Sequence, residues 1–175
     1  AATALFKACV KTGGKRQKQD QDISDAAEAW VVDFAADPAR GAATLARFAF
    51  ECCGATDAPA LVASRLDLDD ADDDAWAALL GALGDQLGAK DRPRAYPLAD
   101  AAGPVKRGGA AKDFARRFST AWAKIVEACR SGGAYDARAL GAAVDVLRRL
   151  SRHDVPHCRH TGAAGAMEVG LALAA

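Results

Sequence analysis

Residues 110–130 read AAKDFARRFSTAWAKIVEACR. Phe114, Phe118, Trp122, Ile125, Val126 and Cys129 recur at steps of three and four, so one helical face gathers every large apolar side chain of the stretch. No alternation of apolar and polar residues competes with that period, and the segment predicts a long amphipathic helix. The same rhythm reappears on either side of it, and it sets the fold class: all-α.

Downstream, Ser131-Gly132-Gly133 stops the helix. Asp136 can cap a second helix carrying Leu140, Val144, Leu147 and Leu150, and a last one starts near Asp154-Val155-Pro156 and runs past Met167. Upstream, residues 89–109 hold Pro93, Pro97, Gly103, Pro104 and Gly108-Gly109, which predicts the longest loop. Before it, Asp72, Asp73 and Asp74 suit the first turn of a helix bearing Trp76, Leu79, Leu80, Leu83 and Leu87. Gly81, Gly84 and Gly88 weaken that helix by up to about 1 kcal/mol each. Pro59 opens a short helix through Leu61, Val62 and Leu66. Asp37-Pro38 is a strong helix start, followed by the stripe Leu45, Phe48, Ala49, Cys52 and a stop at Gly54. Ser24 or Asp22 can cap the helix of Trp30, Val31 and Phe34, and the polar run from Lys15 to Asp22 reads as a linker. Leu5, Phe6, Cys9 and Val10 form a first short helix ending at Gly13-Gly14. The expected organisation is a basic N-terminal segment over 1–21 and a helical domain over 22–175. Its helix pairs are joined by short breaks, as in a stack of HEAT-type pairs or an irregular bundle.

Composition agrees. The chain has 175 residues, of which only 6% are aromatic, so its apolar half is mostly alanine, a good helix former and a poor strand former. A chain of this length can bury roughly 70% of its unfolded surface without staples. The net charge is zero, but charge is segregated. Lys7, Lys11, Lys15, Arg16 and Lys18 precede any acid, Asp67 to Asp74 is an acidic run, and Lys90 to Arg117 is basic again. Five cysteines without framework spacing read as reduced thiols of a cytosolic or nuclear compartment. The basic N-terminus is not followed by the apolar core of a signal peptide. The chain begins without Met and ends within an apolar pattern, which reads as a fragment.

Most constellations that could carry chemistry have a plainer reading. His153, His157, Cys158 and His160 are dense enough for zinc, but Pro156 interrupts the spacing and no second ligand pair exists elsewhere. Cys52 and Cys53 point about 100° apart on a helix, which buries one and leaves the other partly exposed, and no basic partner lies near them in sequence. The aspartate run lacks the glycine and the terminal Glu of a calcium loop. The glycines form no phosphate-binding motif. No catalytic site, cofactor, metal, membrane contact or small-molecule substrate is expected. The basic set Arg92, Arg94, Lys106, Arg107, Lys112, Arg116 and Arg117, at a loop running into a helix N-terminus, has the chemistry to hold a phosphate backbone.

Three segments in order carry a family likeness. Residues 29–55, AWVVDFAADPARGAATLARFAFECCGA, place Trp30, Asp37, Leu45, Phe48, Cys53 and Gly54 on one pattern. Tyr96-Pro97-Leu98 and Gly103-Pro104 then lead to the helix of Phe114, Phe118 and Val126. Leu150-Ser151 through Val155, Arg159-His160-Thr161 and Ala166-Met167 close the series. From about Leu5 to its end the chain resembles the STAG domain of the stromal antigen subunits of cohesin, large helical-repeat proteins. The resemblance implies antiparallel helix pairs stacked as an irregular, right-handed HEAT-like array. It also implies a nuclear, chromatin-associated, non-enzymatic role in sister chromatid cohesion and chromatin organisation. The implied partners are the kleisin and coiled-coil ring subunits, the cohesin loader and the backbone of double-stranded DNA. Lys112 falls on a family lysine, whereas the family's next lysine is Asp113 here and its preceding Trp is Ala111. Lys106 and Arg107 upstream and Arg116 and Arg117 downstream can supply the missing charge, so Lys106, Arg107, Lys112, Arg116 and Arg117 are the candidate DNA contacts. Thr161 or Asp154 is expected to cap the last helix, with His160 fixing the turn. The alternatives are a protein-binding helical scaffold without nucleic-acid contact, or a small metal or redox protein using Cys158 and the histidines.

Overall fold

Asp37 and Pro38 open the helix around which the others assemble. In the computed structural model the described residues are 1–11, 15–55, 57–63, 65–66, 73–88, 96–98, 110–131 and 137–175. In chain order the helices are α1 (Ala4–Val10), α2 (Arg16–Ala36), α3 (Pro38–Cys52), α4 (Ala58–Leu61), α5 (Asp73–Gly88), α6 (Ala110–Ser131), α7 (Ala137–Ser151) and α8 (Pro156–Ala174). Among the described residues there is no strand, and the fold is all-α.

The Asp37 carboxylate accepts a bond from the Arg40 N–H (3.2 Å), and Pro38 occupies the first turn, where its missing N–H costs nothing. At the far end Gly54 takes φ 99°, a value that suits glycine. There the N–H of Ala55 reaches the Phe50 carbonyl and that of Gly54 reaches Glu51 (both 3.0 Å), which closes α3. Between these ends α3 is buried on nearly every side, from Gly41 and Ala42 through Leu45, Phe48 and Phe50 to Cys52. Its alanines let neighbours approach from all directions, and α1, α2, α4, α7 and α8 all pack on it. Gly41 permits the closest of these approaches. A Cβ there would lie 2.6 Å from Phe34 Cα, and the Gly41 carbonyl accepts the Trp30 indole N–H (2.9 Å).

The apolar face of α6 is as its spacing predicts, with Phe114, Phe118, Trp122, Ile125, Val126 and Cys129 all buried. Trp122 meets Phe48 of α3 with ring centres 5.5 Å apart. Helix α8 packs closely on α7 and α6. A Cβ at Gly162 would stand 2.7 Å from the Leu147 carbonyl oxygen, and one at Gly165 would strike Leu147 Cδ2 and Trp122.

Several expectations are corrected. Lys15 to Asp22 is no linker, because α2 begins at Arg16. Neither Ser24 nor Asp22 caps that helix: Lys15 sits at the cap without a side-chain bond, Asp22 binds Lys11 Nζ (2.7 Å) and Ser24 binds Glu28 (3.3 Å). The basic start is not separate from the core, since Leu5 and Cys9 of α1 are buried with the rest. The Pro59 helix stops at Leu61, and Val62 is already extended. On α7 the stripe is Leu140, Ala143, Val146, Leu147 and Leu150, while Val144 is 44% exposed. At about 100° per residue Val144 lies roughly 95° from the centre of that stripe. Cys52 and Cys53 are both fully buried, because α3 has no solvent face at its end. Val155 opens α8 without a side-chain cap, and Thr161 lies buried inside the helix. Asp136 lies outside the described residues.

Candidate functional site

Arg116 and Arg117, at the end of the second basic stretch, meet the first one about a hundred residues away in sequence. Arg117 makes the join. Its Nη1 donates to the carbonyls of Cys9 (3.1 Å) and Lys11 (2.7 Å), the free acceptors at the end of α1. A cation there also complements the negative end of the helix. Cys9 Sγ donates in return to the Arg117 carbonyl (3.8 Å). Phe6 of α1 and Phe114 of α6 pack edge to face beside this contact, with centroids 6.1 Å apart.

Arg117 is 4% exposed and Asp113 lies 3.8 Å from its Nη2, so its guanidinium faces the protein rather than solvent. Arg116 is also engaged. Its Nη1 binds Asp20 (2.6 Å) and its Nη2 binds Gln19 (3.0 Å), which ties α6 to the first turns of α2. Both arginines, expected as DNA contacts, also tie α6 to α1 and α2 within the fold. A signal for Arg117 was present in the sequence: it is three residues after Phe114 and four before Ala121, on the face that spacing buries. Lys106 and Arg107 lie outside the described residues, as do the side chain of Lys112 and the residues Arg92 and Arg94.

These ties join the end of α1 and the first turns of α2 to α6, and Lys7, Lys11, Lys15, Arg16 and Lys18 on those two elements are exposed. Asp22 takes one of them, Lys11, and that bond, with Lys18 nearby, holds the Asp22 carboxyl below its usual range. Arg16 and Asp20 are 3.9 Å apart, a contact of little energy at an exposed site. Sequence reasoning missed Lys7, Lys11, Lys15, Arg16 and Lys18 as part of this surface, because no spacing rule links them to α6.

A second cluster gathers Tyr96, His157, His160 and Thr161. The Tyr96 hydroxyl is 2.9 Å from His160 Nδ1 and 3.1 Å from Thr161 Oγ1, and Thr161 reaches the Cys52 carbonyl (3.5 Å). The Tyr96 ring stacks on His157 at 4.2 Å with the planes 4° apart. Burial pushes the Tyr96 hydroxyl up to about 12, against the bond from Thr161. Burial also raises Cys53 well above an ordinary thiol, and its hydrogen bond with Cys158 adds to this. These groups are protonated and packed, and what they do is fasten the Tyr96 segment to α8 and the end of α3. His160 therefore binds Tyr96 instead of fixing the turn. The turn belongs to His153, whose Nδ1 accepts the Val155 N–H (2.9 Å). Among the described residues no three His, Cys, Asp or Glu side chains gather as metal ligands, and no helix is long and apolar enough to cross a membrane.

Compared with models of known families and with curated proteins, the chain matches none.

Proposed function

We propose that this chain is a non-enzymatic interaction module of a cohesin subunit of the stromal antigen type, nuclear and chromatin-associated, in which helix pairs stack as a HEAT-like array. In this reading the basic end contacts the backbone of double-stranded DNA without reading sequence. The remaining helical surface serves protein partners, of which the kleisin, the coiled-coil ring subunits and the loader are the expected ones. The observation that carries the DNA contact is that Lys7, Lys11, Lys15, Arg16 and Lys18 are all exposed on α1 and the start of α2, which Arg116 and Arg117 tie to α6. Clustered cations that displace counterions are the main source of sequence-independent affinity.

The test is fluorescence anisotropy with a short random-sequence duplex at about 50 and 200 mM salt. The triple variant Lys15→Glu, Arg16→Glu, Lys18→Glu is compared with the natural chain. Acidic residues suit the first turns of a helix, so the variant should fold as well as the parent. Expected are micromolar binding that weakens steeply with salt, at least tenfold loss in the variant, and a salt slope reduced by close to one unit per lost contact. Equal binding by the variant overturns this placement of the surface.

One feature favours a protein-binding scaffold without nucleic-acid contact. Met167 and Leu171, four apart on α8, are 62% and 61% exposed, and the net charge is zero. Absence of DNA binding at both salts would select that reading.

A further inference from the structure

We propose that the socket holding α1 is a docking site for a short amphipathic helix, and that its occupant in trans is α1 of a second copy of this chain, exchanged between the two. The inference stands apart from the DNA reading and would survive its failure.

The socket is charged at both ends. Among the described residues Glu51 and Arg117 are the charged side chains that lie buried, each 4% exposed, and both bind α1. A buried charge is costly unless it is well bonded, and these two are. Glu51, near the end of α3, accepts the Thr3 N–H on both carboxylate oxygens (3.0 and 3.3 Å) and the Thr3 hydroxyl as well. Thr3 Oγ1 in turn accepts the Phe6 N–H (3.2 Å), which caps the helix. At the other end Arg117 donates to the carbonyls of Cys9 (3.1 Å) and Lys11 (2.7 Å). A helix of seven residues separates the two clamps by roughly 10 Å. The anion stands at the positive end of the docked helix and the cation at its negative end, so the socket complements the helix dipole.

Between the clamps the contact is apolar. Leu5, Ala8 and Cys9 are buried, Phe6 packs edge to face on Phe114, and α1 rests on α2, α3 and α6. Apart from the one to the Thr3 hydroxyl, the bonds from the two clamps go to backbone groups. What the socket selects is therefore a helix of two turns with apolar residues at this spacing.

Seven residues are too few to hold a helix alone, so the socket orders α1, and α1 behaves as a tethered ligand. The tether to α2 runs from Lys11 to Lys15 and contains Gly13-Gly14. A tether this short presents its ligand at an effective concentration of about 1 mM. The α1 of a second chain can make every contact of the first, so exchange competes as the protein approaches that concentration. Swapping an identical element is a low-cost route to a symmetric dimer, in which each socket is completed by the other copy.

The experiment mixes full natural chains labelled with 14N and with 15N at about 1 mM, isolates the dimer by size exclusion and couples touching amines to carboxylates with a carbodiimide. Lys11 Nζ, at the end of α1, lies 2.7 Å from Asp22 of α2. In the closed chain the coupled Lys11 and Asp22 peptides carry the same isotope, whereas after exchange about half of the pairs join a light peptide to a heavy one. Leu5→Asp, which takes the apolar anchor from α1, should lower the yield of mixed pairs at least tenfold. A chain that stays monomeric at this concentration overturns the proposal, and so does a dimer whose coupled pairs are all of one isotope. The second result would move the contact to another face, such as that of Met167 and Leu171 on α8. The isotope pattern of the natural chain decides without any substitution.

Discussion

Gly162→Ala is expected to destabilise the protein, although the same change at Gly141 should stabilise it. At Gly162 the added Cβ would stand 2.7 Å from both Leu147 O and Leu150 C, and nearer still to Ser151 N. These are backbone atoms of the last turn of α7, so no rotamer change relieves the contact and the α7–α8 pair must separate by most of an ångström. Overpacking of this kind costs about 1–3 kcal/mol, and the absence of a movable side chain puts it at the upper end. Alanine returns about 1 kcal/mol through its higher helix propensity. The net loss is then about 2 kcal/mol, or roughly 4–8 °C in Tm for a chain of this size. At Gly141, inside α7, a Cβ meets nothing within 4 Å, so Gly141→Ala should raise Tm by about 2–4 °C. Gly165→Ala should fall between the two, because its nearest atoms, Leu147 Cδ2 (2.5 Å) and the Trp122 indole (3.1 Å), belong to side chains. Thermal and urea unfolding followed by far-ultraviolet circular dichroism gives all three values. Equal stabilities for the Gly162 and Gly141 variants would refute the close approach of α7 and α8 and the reasoning built on it.

Two further outcomes follow from the buried polar groups. Arg117→Met keeps the length of the side chain but leaves the Cys9 and Lys11 carbonyls without their donor; at about 1.5–3 kcal/mol for a bond to a charged group, the loss should be about 3 kcal/mol. It should be felt first in α1, so hydrogen exchange over 4–10 should accelerate beyond that of α3, and unchanged protection there would contradict the capping role. All five thiols are buried, and Cys9 is pushed up to about 12 chiefly by burial. At pH 8 its thiolate fraction is about 10⁻⁴, so an aromatic disulfide reagent should find no prompt thiol in the folded chain and five after guanidinium is added; one prompt equivalent would show that α1 opens readily.

How much of this could be read beforehand depended on whether a residue's role is local. The α6 face, the Asp37-Pro38 start and the Gly54 stop were legible because each is set by atoms within a few residues. The first turns of α2 were not. Arg16 to Asp22 has no apolar period, and its helix is held from outside by Arg116 on Asp20 and Lys11 on Asp22. Cys53 was misjudged for a similar reason: what covers it is the Cys158 and Thr161 side of α8, remote in sequence. The basic surface was half legible. Its charges were visible, but Arg116 and Arg117 join its halves, and that role appears only when α1, α2 and α6 are brought together.

The residues that hold the fold together and those that would carry the DNA contact are different sets, and this separates the two questions. Trp30 bonds the Gly41 carbonyl, Asp37 caps α3, Gly54 ends it, and Tyr96, His160 and Thr161 form one hydrogen-bonded group. Each has a job inside the fold and is silent about what the surface binds. The exposed cations Lys7, Lys11, Lys15, Arg16 and Lys18 have no such job in the core. Reversing three of them should leave the unfolding transition where it was, whereas Thr161→Val, which removes the hydroxyl shared with Tyr96, should lower it without touching the basic end. A duplex titration of the charge-reversed chain, made beside its melting curve, therefore tests function alone. A loss of affinity at constant Tm can come only from the surface.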